Sequence, residues 1–490
     1  MRSGNGKRKL EREVAIMAAC TTLNVSTMLI VRLVRLVCLV RLVRLFVPLF
    51  VALFVPRFAV SMLASAALVI FTLPGNSAFA QTPASATVTA SATNAKTVST
   101  GVAAFNMAWA GTPDDFKRHL EVCASPAVNW CDTRARIVRG ATAAIPEEVT
   151  RATQCQAAAL KAAGGPTASN LIAPCNAYRS GDAPVPGQPR PDPNLTRTPA
   201  AYQEKLDKLR DTVEGIIERD GVRVIAFQEV RSSAVIKIVL GKFADKFDVC
   251  DAKHSAFQTL AFAWDKSVTS KPGQCVTEAA LAIKDPPNDP AAFRSVRPGL
   301  ALTLNINGQP VTFMNVHLKA SCASVNNSNE RFPGRLLTDA NEACEVLNRQ
   351  VPVLENWIES VWAKSPRFVL LGDFNRRIDD ELAMAPKPNE IRADGSDPAS
   401  PNKVGADGKV STRYLWQEIS DGSPNMHQIP LSTSDGSCTG FTGLDHIVIS
   451  DTLKTLNPGV ITSRKIAVAA VPNQKIETSD HCPRVAQLKF

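Results

Sequence analysis

Short apolar runs closed by a polar residue or a glycine recur along the chain, and its elements are read from them. Val102–Phe105 ends on Asn106, Val222–Phe227 on Gln228-Glu229, and Phe368–Leu371 on Gly372-Asp373. Runs this short, without polar alternation, read as strands buried on both faces. Further strands are expected at Leu260–Trp264, Leu300–Ile306, Val311–Val316, His446–Ser450, Lys465–Val471 and Arg484–Phe490. Leu206, Leu209, Val213, Ile216 and Ile217 recur at helical spacing with charges between them, which predicts a helix starting near Tyr202 and stopped by Gly221. A second long helix is expected over Asp339–Ala363, kinked or split at Pro352, and a shorter one over Glu147–Ala163. Strands outnumber helices and many neighbours join through short links. The expected fold class is therefore α/β, with two packed, mostly antiparallel β-sheets flanked by helices.

Other stretches lack such periodicity. From Gly111 to Pro199 the pattern dissolves, with Pro and Gly clustered at 181–199 and four cysteines scattered through. It reads as an insertion at 111–199, pinned by disulfides, within a domain running from 101 to 490. Residues 386–410 form a polar loop, and residues 81–100 a disordered tether rich in Ser, Thr and Ala. Residues 1–80 read as an export segment. Arg57 precedes an apolar run from Phe58 to Leu73, and Ala78-Phe79-Ala80 fits a small-x-small cleavage site, giving a secreted or periplasmic protein. A membrane anchor is the rival, although Arg57 inside the 45–73 stretch opposes spanning. Arginines repeat through 29–45 in a way that suits neither role, and Met62 is an alternative start.

This front also dominates the charge. It holds ten Lys/Arg against two Glu, which is +8 of the net +10 and leaves +2 for the remainder. A nearly neutral working protein gives no support for a strongly basic nucleic-acid binder. Ten of the twelve cysteines lie beyond the front and none forms a CxxC pair, so a disulfide-bonded chain fits better than a zinc site. Cys482 could equally be a buried free thiol.

The candidate chemistry sits at strand ends: Asn106, Glu229, Asn315-x-His317, Asp373-x-Asn375, Asp445-His446 and Ser479-Asp480-His481. Asp373 and Asn375, two apart, would point the same way from an extended segment. Each has a bland reading, as an Asx turn, a satisfied core histidine or a solvated strand end. Together they suit a phosphoester. Mg²⁺ takes oxygen ligands, which Glu229 and Asn106 could supply, with Mn²⁺ or Ca²⁺ as alternatives. Asp373 or a histidine could activate water, Asn375 and Asn315 could hold phosphate oxygens, and His481, with its ring oriented by Asp445, could stabilise the transition state.

At these residues the chain resembles the endonuclease/exonuclease/phosphatase superfamily. The matching motifs are FN at 105–106, QEV at 228–230, NVHL at 315–318, GDFN at 372–375, LDHI at 444–447 and SDHCP at 479–483. The resemblance implies a four-layer α/β sandwich and metal-dependent hydrolysis of phosphoesters. It implies that Asn106, Glu229 and Asp480 belong to the metal site, that His317, Asn375 and His481 act on the phosphate, and that Asp373 is base or phosphate ligand. Asp445 would join the same cluster, and Arg297 would be a further phosphate contact. Two departures stand out: the long span from Asn106 to Glu229, and Gln258 near the place where the deoxyribonuclease branch has a glutamate supporting its first histidine. The reading is an exported phosphodiesterase, most readily a nuclease with a nucleic-acid substrate and no obligate protein partner. The alternatives are a sphingomyelinase-like or small-molecule phosphoesterase acting on a phospholipid or small ester, and a non-catalytic binding module.

Overall fold

The computed structural model describes residues 99–124, 135, 144–175, 177–178, 197–285, 294–325, 337, 342–384, 414–420, 423–434, 443–469 and 476–490. The expected export segment, most of the tether and the 386–410 loop lie outside these residues.

The strands are β1 (Ser99–Ala110), β2 (Val222–Val230), β3 (Phe247–Asp251), β4 (Thr259–Asp265), β5 (Gln274–Glu278), β6 (Gly299–Ile306), β7 (Gln309–His317), β8 (Phe368–Asp373), β9 (Met426–Gln428), β10 (Leu431–Ser434), β11 (Asp445–Ser450), β12 (Ser463–Lys465) and β13 (Arg484–Lys489). Among the described residues they form two sheets. The first has the order β10-β12-β13-β1-β2-β4-β3 and the second β5-β6-β7-β8-β11-β9. Most neighbours are antiparallel. Of the parallel pairs, β1–β2 and β7–β8 lie at the middle of the two sheets and β10–β12 at the rim of the first.

Successive residues of a strand face opposite sides, and the sequence uses both sides. Val102 and Ala104 of β1 pack between the sheets with Val224, Phe262, Leu302, Phe313, Leu371 and Ile447. Ala103 and Phe105 face outward onto α1 (Pro113–Cys123), α2 (Pro199–Arg219) and α3 (Ser233–Leu240), through Phe116, Leu206, Leu209, Val213 and Val235. On the far side Met314, Val316, Phe368 and Leu370 pack on α4 (Glu342–Lys364) through Leu347, Val351, Leu354 and Ile358. Helices, sheet, sheet and helices make the four layers, which is why the strands read as unbroken apolar runs.

Some expectations change. Pro352 lies inside α4, which runs through it as one helix. Of the strand expected over Lys465–Val471, the described residues, which run to Ala469, show only Ser463–Lys465. Beyond it the backbone turns to other partners: Ile466 N–H donates to Pro483 O and Ala469 N–H to Thr212 Oγ1 on α2. Helix α1 falls in the stretch without visible pattern. Its start is a capping box in which Thr112 and Asp115 satisfy each other's backbone N–H groups, with Pro113 in the first turn.

Disulfides join Cys123 to Cys175, Cys250 on β3 to Cys275 on β5, and Cys322 to Cys344 on α4. Cys155 and Cys482 are disulfide-bonded as well, so Cys482 is not a free thiol. Cross-links of this density belong to an oxidising compartment. No helix among the described residues is long and apolar enough to cross a membrane.

Gly372 marks where the core meets the site. Its φ is +136°, and a Cβ there would lie 2.1 Å from Val316 O on the neighbouring strand. Gly372→Ala is expected to destabilise the protein by about 3 kcal/mol or more, overpacking and backbone strain acting together. Urea unfolding checks this; a change under 1 kcal/mol would contradict the packing described.

Candidate active site

Both central parallel pairs end at the same edge of the sandwich. In the first sheet Asn106 is opposite Gln228, and in the second His317 is opposite Asp373. Asp445, the first residue of β11, pairs with Asp373, so its side chain joins the same edge. The loop before β13 brings in Asp480 and His481.

Local backbone strain aims several of these groups. Between β1 and β2 the register passes from Asn106–Gln228 to Ala110–Val230, so residues 107–109 stand opposite Glu229 alone. Glu229 is also the extra residue of β2 against β4, where Gln228 pairs with Leu260 and Val230 with Thr259. Bulges of this kind redirect a side chain. Glu229 has φ +55° and Asn375 φ +51°, left-handed conformations that side chains other than glycine adopt at a cost.

Asp373 is the hub. Asn106 Nδ2 donates to its Oδ2 across the two sheets at 3.0 Å, and Asn375 N–H donates to its Oδ1 at 2.8 Å. His317 Nε2 lies 3.4 Å and His481 Nε2 3.7 Å from Asp373 Oδ2. His317 Nε2 is also 3.7 Å from Glu229 Oε1. His481 Nδ1 contacts both oxygens of Asp445 at 3.1 Å, and Lys465 Nζ donates to Asp445 Oδ2 at 2.9 Å. Arg484 donates to the Asp445 carbonyl from beneath.

Charge states follow from this packing. Burial alone would lower the His481 pKa, but Asp445 and Asp373 outweigh it and raise it to about 10, so the ring is an imidazolium at neutral pH. Asp445 is held ionised. Burial opposes its charge, and His481 with Lys465 more than offsets that. Burial raises Asp373, as does the charge of Asp445, against the pull of His481. Glu229 is pushed up to about 7, first by burial and then by the charge of Asp480. His317 is kept neutral by burial, reinforced by Arg297 and His481, and its Nδ1 is buried without a hydrogen-bond partner. That orphaned nitrogen fits the lack of a supporting glutamate near Gln258.

Two expected phosphate contacts change. Asn315 has no exposed surface, and its side chain is spent on the scaffold. Its Nδ2 donates to Phe227 O and Ala261 O, and its Oδ1 accepts from Gln228 Nε2, tying one sheet to the other. It is not placed to hold a phosphate. Asn375 Nδ2 donates to Leu318 O and Asp373, so it steadies Asp373. Arg297 does reach the site, where it donates to the carbonyls of His317 and Leu318 and lines the cleft beside Glu229 and His317. His446 faces away from Asp445 and hydrogen-bonds to Arg376 O and Gly443 O.

Lys465 was legible only as the start of a strand. It is fully buried against Asp445, and a lysine leading an apolar run (Ile466-Ala467-Val468) was the available signal. Lys465→Met is expected to cost about 3 kcal/mol, because it removes one of the two cations, Lys465 and His481, that offset the buried Asp445 carboxylate. Lys465→Met combined with Asp445→Asn should recover most of that in equilibrium unfolding; no recovery would mean the pair is not the cause.

Asp373, Asp445 and His481 have ligand atoms within 4.8 Å of one another and could hold a cation. A second group with cation chemistry is Glu229 with Asp480, whose like charges already resist each other.

No protein-family model matches the chain, and no curated protein matches it in sequence. Solved structures do match. They include TDP2 from Caenorhabditis elegans, 11% identical over 58% of this chain and 69% of that one, with a TM-score of 0.31. Endonuclease/exonuclease/phosphatase family proteins from Bacteroides vulgatus and Bacteroides thetaiotaomicron are each 12% identical. They cover 59% of this chain, with 90% and 89% of their own lengths and TM-scores of 0.33 and 0.34. At such values the matches transfer no residue role and no substrate.

Proposed function

We propose that this chain is an exported, divalent-metal-dependent phosphodiesterase of the endonuclease/exonuclease/phosphatase type, with nucleic acid as its substrate. The observation that carries the reading is the convergence of Glu229, His317, Asp373, Asp445 and His481, drawn from two sheets and five distant segments, at one edge beside an open cleft. A binding module has no use for an imidazolium wedged between two aspartates and next to a second acidic pair.

Glu229 and Asp480, with Asn106 on the adjoining strand as a further oxygen donor, would hold the cation in preference to the Asp373, Asp445 and His481 group. A metal there would have to displace the Lys465 ammonium and the protons of His481. Bound Mg²⁺ would polarise a phosphoryl oxygen and stabilise the leaving oxygen. Asp373, with its pKa raised and its orientation fixed by Asn106 and Asn375, is suited to take a proton from the attacking water. His481 is suited to face the charge developing on the phosphorane oxygens, with Asp445 and Lys465 fixing its ring. Arg297 supplies a second positive charge at the cleft.

A small phosphodiester is the second reading, favoured by the cleft volume of about 400 Å³, within the range of small-molecule sites. The test is hydrolysis by the purified full chain of plasmid DNA, single-stranded oligonucleotide, sphingomyelin and inositol phosphates, with Mg²⁺ and with EDTA. Mg²⁺-dependent cleavage of DNA is expected. Turnover of none of them, or turnover indifferent to EDTA, would overturn the proposal.

A further inference from the structure

The cleft is built by more than the reacting groups. Glu229, Arg297 and His317 line it, and so do Trp109 and Ala173–Cys175. The Cys123–Cys175 disulfide fixes that wall to the end of α1. Trp109 is there because of the strand defect described above. Ala108 and Trp109 are consecutive left-handed residues, with φ of +47° and +61°, inside the bulge of β1 opposite Glu229. Asn106 Oδ1 accepts from Ala108 N–H and holds the first turn of the bulge, while the Trp109 carbonyl accepts from Tyr178 Oη. The Trp109 ring is braced by Phe257 at a centroid distance of 5.8 Å and stays half-buried at the cleft. A strained backbone that puts one indole into the wall of the cleft that Arg297 also lines offers a planar group and a cation to the same ligand, the two things to which a nucleotide presents a base and a phosphate.

We infer that Trp109 and the disulfide-held 173–175 wall form a nucleobase subsite. It stacks the base of a nucleotide adjoining the scissile phosphate, so the substrate is a single strand or a strand end whose base can leave the helix. This rests on the phosphodiesterase reading. A smooth duplex cannot place a stacked base in a cleft of about 400 Å³, whereas a splayed strand can, because every base offers a π-face.

The test pairs substrates with variants of the full chain. Thymidylyl-thymidine and its analogues with one or the other base replaced by hydrogen are compared in Mg²⁺, with methyl p-nitrophenyl phosphate as a diester carrying no base. In the native protein, loss of the base on one side is expected to raise KM roughly ten- to a hundredfold, the size of one base–aromatic stack, with kcat little changed. In Trp109→Ala that difference between the natural and base-less substrate is expected to vanish, and in Trp109→Phe to persist in part. Equal KM for natural and base-less dinucleotides in the native protein, or an unaltered difference in Trp109→Ala, overturns the subsite while leaving the phosphodiesterase standing. Failure to hydrolyse methyl p-nitrophenyl phosphate and both dinucleotides removes the phosphodiesterase and the subsite with it.

Discussion

Replacing His481 with alanine is expected to lower phosphodiester turnover by roughly 10²–10⁴-fold, the span for removing a positioned charge or proton donor from a transition state, with the fold intact. The fold should survive because Asp445 is not left alone. Lys465 Nζ still donates to its carboxylate and Arg484 to its carbonyl. The loss should fall on kcat more than on KM if the imidazolium acts on charge that develops during the reaction. His481→Gln, which keeps a donor without the charge, should restore little. Steady-state kinetics with the metal saturating, beside a melting curve, separates the outcomes. Native-like kcat in a folded His481→Ala protein would remove this ring from the chemistry.

The second large effect concerns Glu229 and the cation. Burial, and then the charge of Asp480, push the Glu229 carboxyl up to about 7 in the folded protein from an ordinary value of about 4.5. Between those values the unfolded chain is the more ionised, so this group lowers stability as pH rises from about 4.5 through 7. A shift of that size corresponds to about 3 kcal/mol. A cation held by Glu229 and Asp480 would relieve the repulsion, and a proton competes for the same oxygens. Mg²⁺ is therefore expected to raise the melting temperature more at pH 8 than at pH 6. Its apparent affinity should weaken about tenfold per pH unit below 7. Buried histidines act in the opposite sense but only in acid. His254 and His446 are held near 4 mainly by burial, and their contribution is complete once pH exceeds the ordinary histidine value of 6.5. Glu229→Gln should abolish the Mg²⁺-dependent shift at both pH values. A shift that persists in this variant would place the cation elsewhere, with Asp373, Asp445 and His481 as the next group to test.

What could be read from the chain depended on whether a residue's role is local. The strand runs and the α2 periodicity are local, and they lie where expected because residues buried on both faces leave no polar alternation. The polar residues closing those runs could be gathered for the same reason, since strand ends at one edge of a sandwich converge. Roles set by distant partners were not legible. Asn315 sits in the same motif as His317, yet it ties Phe227 to Ala261 because it points between the sheets. Lys465 and Asp445 meet only after the two sheets close. The bulge that turns Glu229 and Trp109 depends on a register between strands more than a hundred residues apart in sequence, which no single-chain pattern reports.

The edge bond between Cys250 and Cys275 links a strand of one sheet to a strand of the other. With Glu229 on the first leaf and Asp373 on the second, a slip of one leaf past the other by a single residue, about 3.3 Å, would pull the two carboxylates out of register. The covalent clasp opposes that slip from the rim. The proposed hydrolysis thus depends on how two halves are aligned, and a chain caught with only one leaf assembled is expected to leave phosphodiesters intact.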